Sequence, residues 1–258
     1  MPFRKPHAVK ALGALGASVM LASAVVALSA SPAFAAESTC TVNGTEVTGS
    51  QIDGTEGPDI ILCLSGINSG TTVNSGAGDD EITATGATDL GGGLGGPGSR
   101  GDIFAGDGND KITITGGVPG GPGLVRGVRP ASINGGGGDD VILVHGALAD
   151  LFAGPAGNQG GVINGDDGTD VIEVKAGDGS HIGNGGTGNT GTINGGAGPD
   201  TITVTAGIGK ENGLAQDATG VIDGGDDVDT CETLVGDNQG TITNCETDPI
   251  PTGDASTS

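Results

Sequence analysis

The chain has 258 residues, 56 of them glycine, with no Trp or Tyr and four Phe, and a formal net charge of −23. Glycine at roughly three times the usual ~7% without a Gly-X-Y period excludes collagen and leaves little aromatic material for an ordinary core. The charge excludes nucleic acid and anionic membrane surfaces as partners.

Residues 1–35 read as a secretory signal peptide. Arg4, Lys5 and Lys10 supply a positive start, residues 11–30 are apolar, and Ala33-Phe34-Ala35 is a small-x-small cleavage site placing the cut before Ala36. A membrane anchor is the alternative; the cleavage site and the polar sequence that follows at once favour export. Thr39 before Cys40 does not suit a lipid-anchored cysteine, and residues 248–258, read as a disordered tail, hold no hydrophobic sorting segment. The expected product is freely secreted and extracellular. All 32 acidic residues lie beyond the leader, opposed there by Arg100, Lys111, Arg126, Arg129, Lys175 and Lys210. Such a chain borders on disorder unless something neutralises it, and a divalent cation is the obvious candidate.

Residues 36–51 are expected to cap an array of repeats that runs over residues 52–235. A glycine-rich turn closed by aspartate recurs seven times, at residues 54–59 (GTEGPD), 75–80 (SGAGDD), 105–110 (AGDGND), 135–140 (GGGGDD), 165–170 (GDDGTD), 195–200 (GGAGPD) and 224–229 (GGDDVD). The closing residues Asp59, Asp80, Asp110, Asp140, Asp170, Asp200 and Asp229 are 21, 30, 30, 30, 30 and 29 residues apart. Two residues after each stands Ile61, Ile82, Ile112, Ile142, Ile172, Ile202 or Cys231, and seven before each Ile52, Val73, Ile103, Ile133, Ile163, Ile193 or Ile222. Positions two and four after the aspartate share one strand face, because strand side chains alternate. Each repeat therefore predicts a strand, the turn and a second strand, and stacked repeats predict an all-β parallel β-solenoid, or β-roll, of about seven coils. The extra nine or so residues of the longer repeats, as in residues 91–101, are expected to form a surface loop opposite the turn, short enough to delete without loss.

Glycine turns can aim several carbonyl oxygens at one point, and calcium takes six to eight oxygens at ~2.3–2.6 Å. Stacked at ~4.8 Å, the aspartates form a column that ions between adjacent turns would hold together. Glu56, Asp79, Asp107, Asp139, Asp166, Asp167 and Asp226 deepen the negative field. Magnesium suits a carbonyl-rich cage less well, and zinc or copper would call for His and Cys. Beyond the leader only His145 and His181 remain, read as solvated surface histidines. Six residues before each aspartate, Asp53, Asn74, Asn134, Asn164, Asn194 and Asp223, with Phe104 the exception, predict a stacked amide ladder in preference to ligands.

These turns resemble the RTX, or hemolysin-type, calcium-binding nonapeptide G-G-x-G-x-D-x-U-x; residues 135–142 and 195–202 match every fixed position. The resemblance implies that each closing aspartate is a calcium ligand and that turn carbonyls complete the shell. The departures are Thr55, Ser75, Ala105, Asp166 and Asp227 at glycine positions, and one nonapeptide per coil where family arrays run them in tandem. One column of ions is therefore expected. Members of that family commonly leave by a C-terminal signal, whereas this chain begins with a leader.

Four cysteines in an exported chain imply disulfides. Six steps of ~4.8 Å put the ends of the array roughly 29 Å apart, beyond the ~7 Å reach of a disulfide. Local pairs Cys40–Cys63 and Cys231–Cys245 are expected, the second closing a C-terminal cap over residues 236–247. The function expected is that of a non-enzymatic, calcium-binding structural or interaction protein that folds on meeting calcium outside the cell. A polysaccharide-active enzyme on a parallel β-helix is the alternative, but it would want aromatic platforms and an acid–base pair. An ice-binding solenoid is the third reading. Its threonine grid (Thr83, Thr85, Thr113, Thr115, Thr201, Thr203, Thr205) is broken by Leu143, His145, Glu173 and Lys175.

Overall fold

The structure is a computed structural model and describes residues 37–88, 95–118, 124–125, 131–149 and 153–246. The predicted leader and the tail from residue 247 lie outside the described residues. The described chain is all-β, a parallel β-solenoid built from two main sheets. In each repeat the strand before the turn joins an eight-stranded entry sheet. Its strands are Gln51–Thr55, Thr72–Ala77, Asp102–Asp107, Ser132–Gly137, Val162–Asp167, Thr192–Ala197, Val221–Asp226 and Thr241–Thr243. The strand after the turn joins a nine-stranded exit sheet, through Ile60–Cys63, Glu81–Thr85, Lys111–Thr115, Val141–His145, Val171–Lys175, Thr201–Thr205 and Thr230–Leu234.

The stack is held in register by like residues meeting like. Ile133 pairs with Ile163 and Ile163 with Ile193; Ile142 pairs with Ile172 and Ile172 with Ile202. These isoleucines are fully buried, and β-branched side chains suit the pleated inner surface. Of the seven coils read from the repeats, the five with turns ending at Asp80 to Asp200 are interior, with parallel neighbours on both sides in both sheets; the first and last are terminal. The terminal pair differ because each ends the ladder. Ser38–Val42 and Thr45–Gly49 form an antiparallel hairpin through Asn43 (φ 51) and Gly44 (φ 78). Its first strand lies antiparallel on Ile60–Cys63, with Thr41 opposite Leu62. An antiparallel strand cannot continue a parallel stack, so it closes that edge. Disulfides join Cys40 to Cys63 and Cys231 to Cys245, one at each end.

The segment after the exit strand is packed into the stack and not a loose surface loop. It forms a third side of the coil. Bridges link Ile67 to Ser99, Asn158 to Asn189, and Asn189 to Gln216. The buried amides of Asn158, Asn189 and Gln216 run down this side: Asn158 Nδ2 donates to Asn189 Oδ1 at 2.9 Å and Asn189 Nδ2 to Gln216 Oε1 at 3.3 Å. Glycines pack backbone on backbone beside them; a Cβ on Gly95 would stand 2.0 Å from the Gly117 carbonyl oxygen, and one on Gly185 1.7 Å from that of Gly207. Deleting residues 91–101 would remove buried Ser99 and Gly101, so the sequence expectation about that loop is corrected.

Candidate metal centre

The seven aspartates that close the turns face inward and are at most 2% exposed. In five of the seven turns glycine stands five residues before the aspartate and leaves room for it, while Ser75 and Ala105 hold that position before Asp80 and Asp110. A Cβ on Gly135 would lie 2.2 Å from Asp140 Oδ2, and one on Gly165 2.1 Å from Asp170 Oδ2. Glycine there makes space for a carboxylate.

The carboxylates and main chain form one continuous ladder. The Asp59 N–H donates to Asp80 Oδ1 at 2.7 Å. The N–H groups of Asp80, Asp110, Asp140, Asp170 and Asp200 each donate to Oδ1 of the next aspartate at 2.8 Å. Two residues outside the repeats finish it. Asn43 Nδ2 donates to Asp59 Oδ1 at one end. At the other, the Asp229 N–H donates to Glu246 Oε2 at 2.6 Å. Neither was legible from the repeats: Asn43 belongs to a hairpin turn, and Glu246 follows the last cysteine with no glycine turn before it.

The second carboxylate oxygen divides the seven. Asp59 Oδ2 accepts hydrogen bonds from the Thr55 N–H at 2.5 Å and the Thr55 hydroxyl at 3.0 Å. Oδ2 of Asp80, Asp110, Asp140, Asp170, Asp200 and Asp229 is buried and has no hydrogen-bond partner. An unpaired buried carboxylate costs several kcal/mol unless it is neutralised. Acidity follows the same division. Burial raises the pKa of Asp59, but the bonds from Thr55 and Asn43 outweigh it and leave it lowered. Burial, opposed by the N–H of the preceding aspartate, pushes Asp110, Asp170 and Asp200 up to about 6 and Asp140 up to about 7. Burial also raises Asp229 against the Asp200 N–H, and Asp80 against both the Asp59 N–H and the Ser75 side chain.

The donor set is oxygen alone. Among the described residues no three side chains of His, Cys, Asp or Glu converge on one point. A cation on this column would therefore draw one or two carboxylates and fill its shell with backbone carbonyls or water, which suits a hard ion. The residues six before the aspartates are committed elsewhere. Asn164 Nδ2 donates to Asn134 Oδ1 at 2.6 Å and Asn194 Nδ2 to Asn164 Oδ1 at 2.8 Å, an outward amide ladder. Phe104 interrupts it, 42% exposed. His145, expected in solvent, is partly buried, its Nε2 3.4 Å from Glu173 Oε1; His181 is exposed.

No family model, curated protein or solved structure matches this chain.

Proposed function

We propose that this chain is an exported protein whose solenoid is completed by calcium bound along its aspartate column, and that it serves outside the cell as a structural or binding protein and not as an enzyme. The reading is carried by six buried carboxylate oxygens without a donor. Such oxygens need a proton or a cation, and at neutral pH in a calcium-rich exterior the cation is available. The turns resemble hemolysin-type repeats at residues 135–142 and 195–202, which supports calcium over other hard ions. The leader-like start and two disulfides support export, since disulfides persist in oxidising compartments. Because the apo column is unsatisfied only in the folded chain, ion binding adds to folding free energy.

The test is far-UV circular dichroism and thermal melting of the mature chain at neutral pH, with chelator, with millimolar calcium and with equal magnesium. Calcium should produce or strongly stabilise the β spectrum, and magnesium should not. An unchanged melting temperature across all three conditions would refute the reading.

A further inference from the structure

From Asp80 onward the column aspartates are alike on their Oδ1 side, each taking an N–H from the coil before. Their Oδ2 sides differ, and the residue five before each aspartate decides how. Where it is glycine, the missing side chain leaves a gap bordered by two oxygens, a carboxylate oxygen of its own turn and a carbonyl oxygen of the segment stacked next. The point a Cβ would take on Gly135 is 2.2 Å from Asp140 Oδ2 and 2.6 Å from the Gly165 carbonyl oxygen. On Gly165 it is 2.1 Å from Asp170 Oδ2 and 2.4 Å from the Gly195 carbonyl oxygen; on Gly195 it is 2.3 Å from Asp200 Oδ2 and 2.1 Å from the Gly224 carbonyl oxygen. Gly224 ends the series, with Asp229 Oδ2 at 2.6 Å and the Asn244 carbonyl oxygen at 1.9 Å. In each gap the two oxygens stand no further apart than these two distances together, a span within reach of one calcium at ~2.3–2.6 Å from each. The carboxylate oxygen in all four gaps is buried and has no hydrogen-bond partner.

The first three turns are closed to an ion in three different ways. Gly54 leaves the gap, but Asp59 Oδ2 already accepts from the Thr55 N–H and hydroxyl. Ser75 fills the gap with its own Cβ, and its hydroxyl donates to the Ala105 carbonyl oxygen at 2.8 Å. That oxygen is the counterpart of the Gly165 oxygen beside Asp140, so a neutral donor serves it where a cation otherwise would. Ala105 fills the gap before Asp110 with a methyl group. Ser75 and Ala105 are both wholly buried, so neither side chain can swing into solvent and reopen the space.

We propose that calcium occupies only the later part of the column, in the four gaps beside Asp140, Asp170, Asp200 and Asp229, and that Ser75 and Ala105 keep the turns of Asp80 and Asp110 free of ions. This rests on the calcium reading above and narrows it from six orphaned oxygens to four. Each ion joins a carboxylate of one turn to a carbonyl of the next, so calcium ties together the coils from Asp140 to the closing segment at Asn244. The earlier coils are held by other means, among them the N-terminal hairpin, the Cys40–Cys63 disulfide and the hydroxyls of Thr55 and Ser75.

The experiment counts the calcium bound by the mature chain at saturation, by equilibrium dialysis in about 0.1 M salt to screen loose binding to surface charge. It compares the unsubstituted chain with Asp110→Asn, Asp170→Asn and Ala105→Gly. Asparagine keeps the Oδ1 acceptor of the ladder and removes the charge. The expected counts are four ions for the unsubstituted chain, four for Asp110→Asn and three for Asp170→Asn. Ala105→Gly opens the gap beside Asp110 and should bind a fifth, a gain that a purely structural role for this alanine does not produce. Loss of an ion in Asp110→Asn, an unchanged count in Ala105→Gly, or six ions on the unsubstituted chain would overturn the division of the column and leave the calcium reading standing. An unsubstituted chain that binds none would overturn both.

Discussion

Without calcium, the folded chain should be stabilised by acid. Burial places Asp110, Asp170 and Asp200 at about 6 and Asp140 at about 7 when folded, against an ordinary aspartate value of 3.8. The folded state thus binds more protons than the unfolded state between about pH 4 and pH 7, and stability falls as pH rises through that window. The contribution is fully present below 3.8 and lost above the folded values. Each pKa unit is ~1.4 kcal/mol, so a raised aspartate costs ~3–4 kcal/mol at high pH and the four together on the order of 10 kcal/mol. That equals the whole stability of a typical domain, about 5–15 kcal/mol. Melting followed by far-UV circular dichroism in chelator should show a high transition near about pH 5 and a low one, or none, near about pH 8. Millimolar calcium should remove or reverse the slope, because it competes with the proton for the same oxygens. A melting temperature in chelator that is flat or rises with pH would show that these carboxylates are not the buried, unpaired groups described.

Asp140→Asn should raise the melting temperature in chelator at about pH 8 and weaken calcium binding, whereas Asp59→Asn should lower the melting temperature in both conditions by the ~1–3 kcal/mol of a broken buried hydrogen-bond set; equal behaviour of the two would refute the division of the column. Gly135→Ala should destabilise the fold with or without calcium, since its Cβ would stand 2.2 Å from Asp140 Oδ2 and 2.6 Å from the Gly165 carbonyl oxygen; a melting temperature within a degree or two of the parent would show that the turn yields freely. Removing residues 95–101 should unfold the neighbouring coils, because Ser99 and Gly101 are buried; retention of the full β spectrum would restore the view of that segment as a loose surface loop.

The two sheets were legible because their signal is a strict offset. An inward apolar residue at two after and seven before every aspartate, isoleucine at all but Cys231 and Val73, survives a change of loop length, and it is those positions that stack. The third side was illegible for the complementary reason. Asn158, Asn189 and Gln216 stand five, four and six residues before the next inward isoleucine, at Ile163, Ile193 and Ile222, so no fixed period reveals them. Polar residues among glycines read as loop, although these amides are wholly buried. The aspartates were legible as a column, but their inequality was not. That Asp59 is satisfied and Asp140 is not depends on one hydroxyl residue, Thr55, which in sequence is merely a missing glycine. Asn43 and Glu246 reach the column from outside the repeat and carry no mark of it.

The way the ladder ends has a consequence for the length of the molecule. Each coil presents an amide to the coil after it and a carboxylate to the coil before it, so every interior joint is the same joint. The two closures read only their immediate neighbours: Asn43 meets Asp59, and Glu246 meets Asp229. Neither senses how many units stand between them. Along the aspartate ladder, gain or loss of a thirty-residue unit would leave both closures in place and change the length of the stack by one strand spacing, ~4.8 Å. Length is thus a discrete variable of the ladder, which steps by whole coils, while the third side, with its unlike pairs such as Asn189 and Gln216, ties particular coils to particular neighbours.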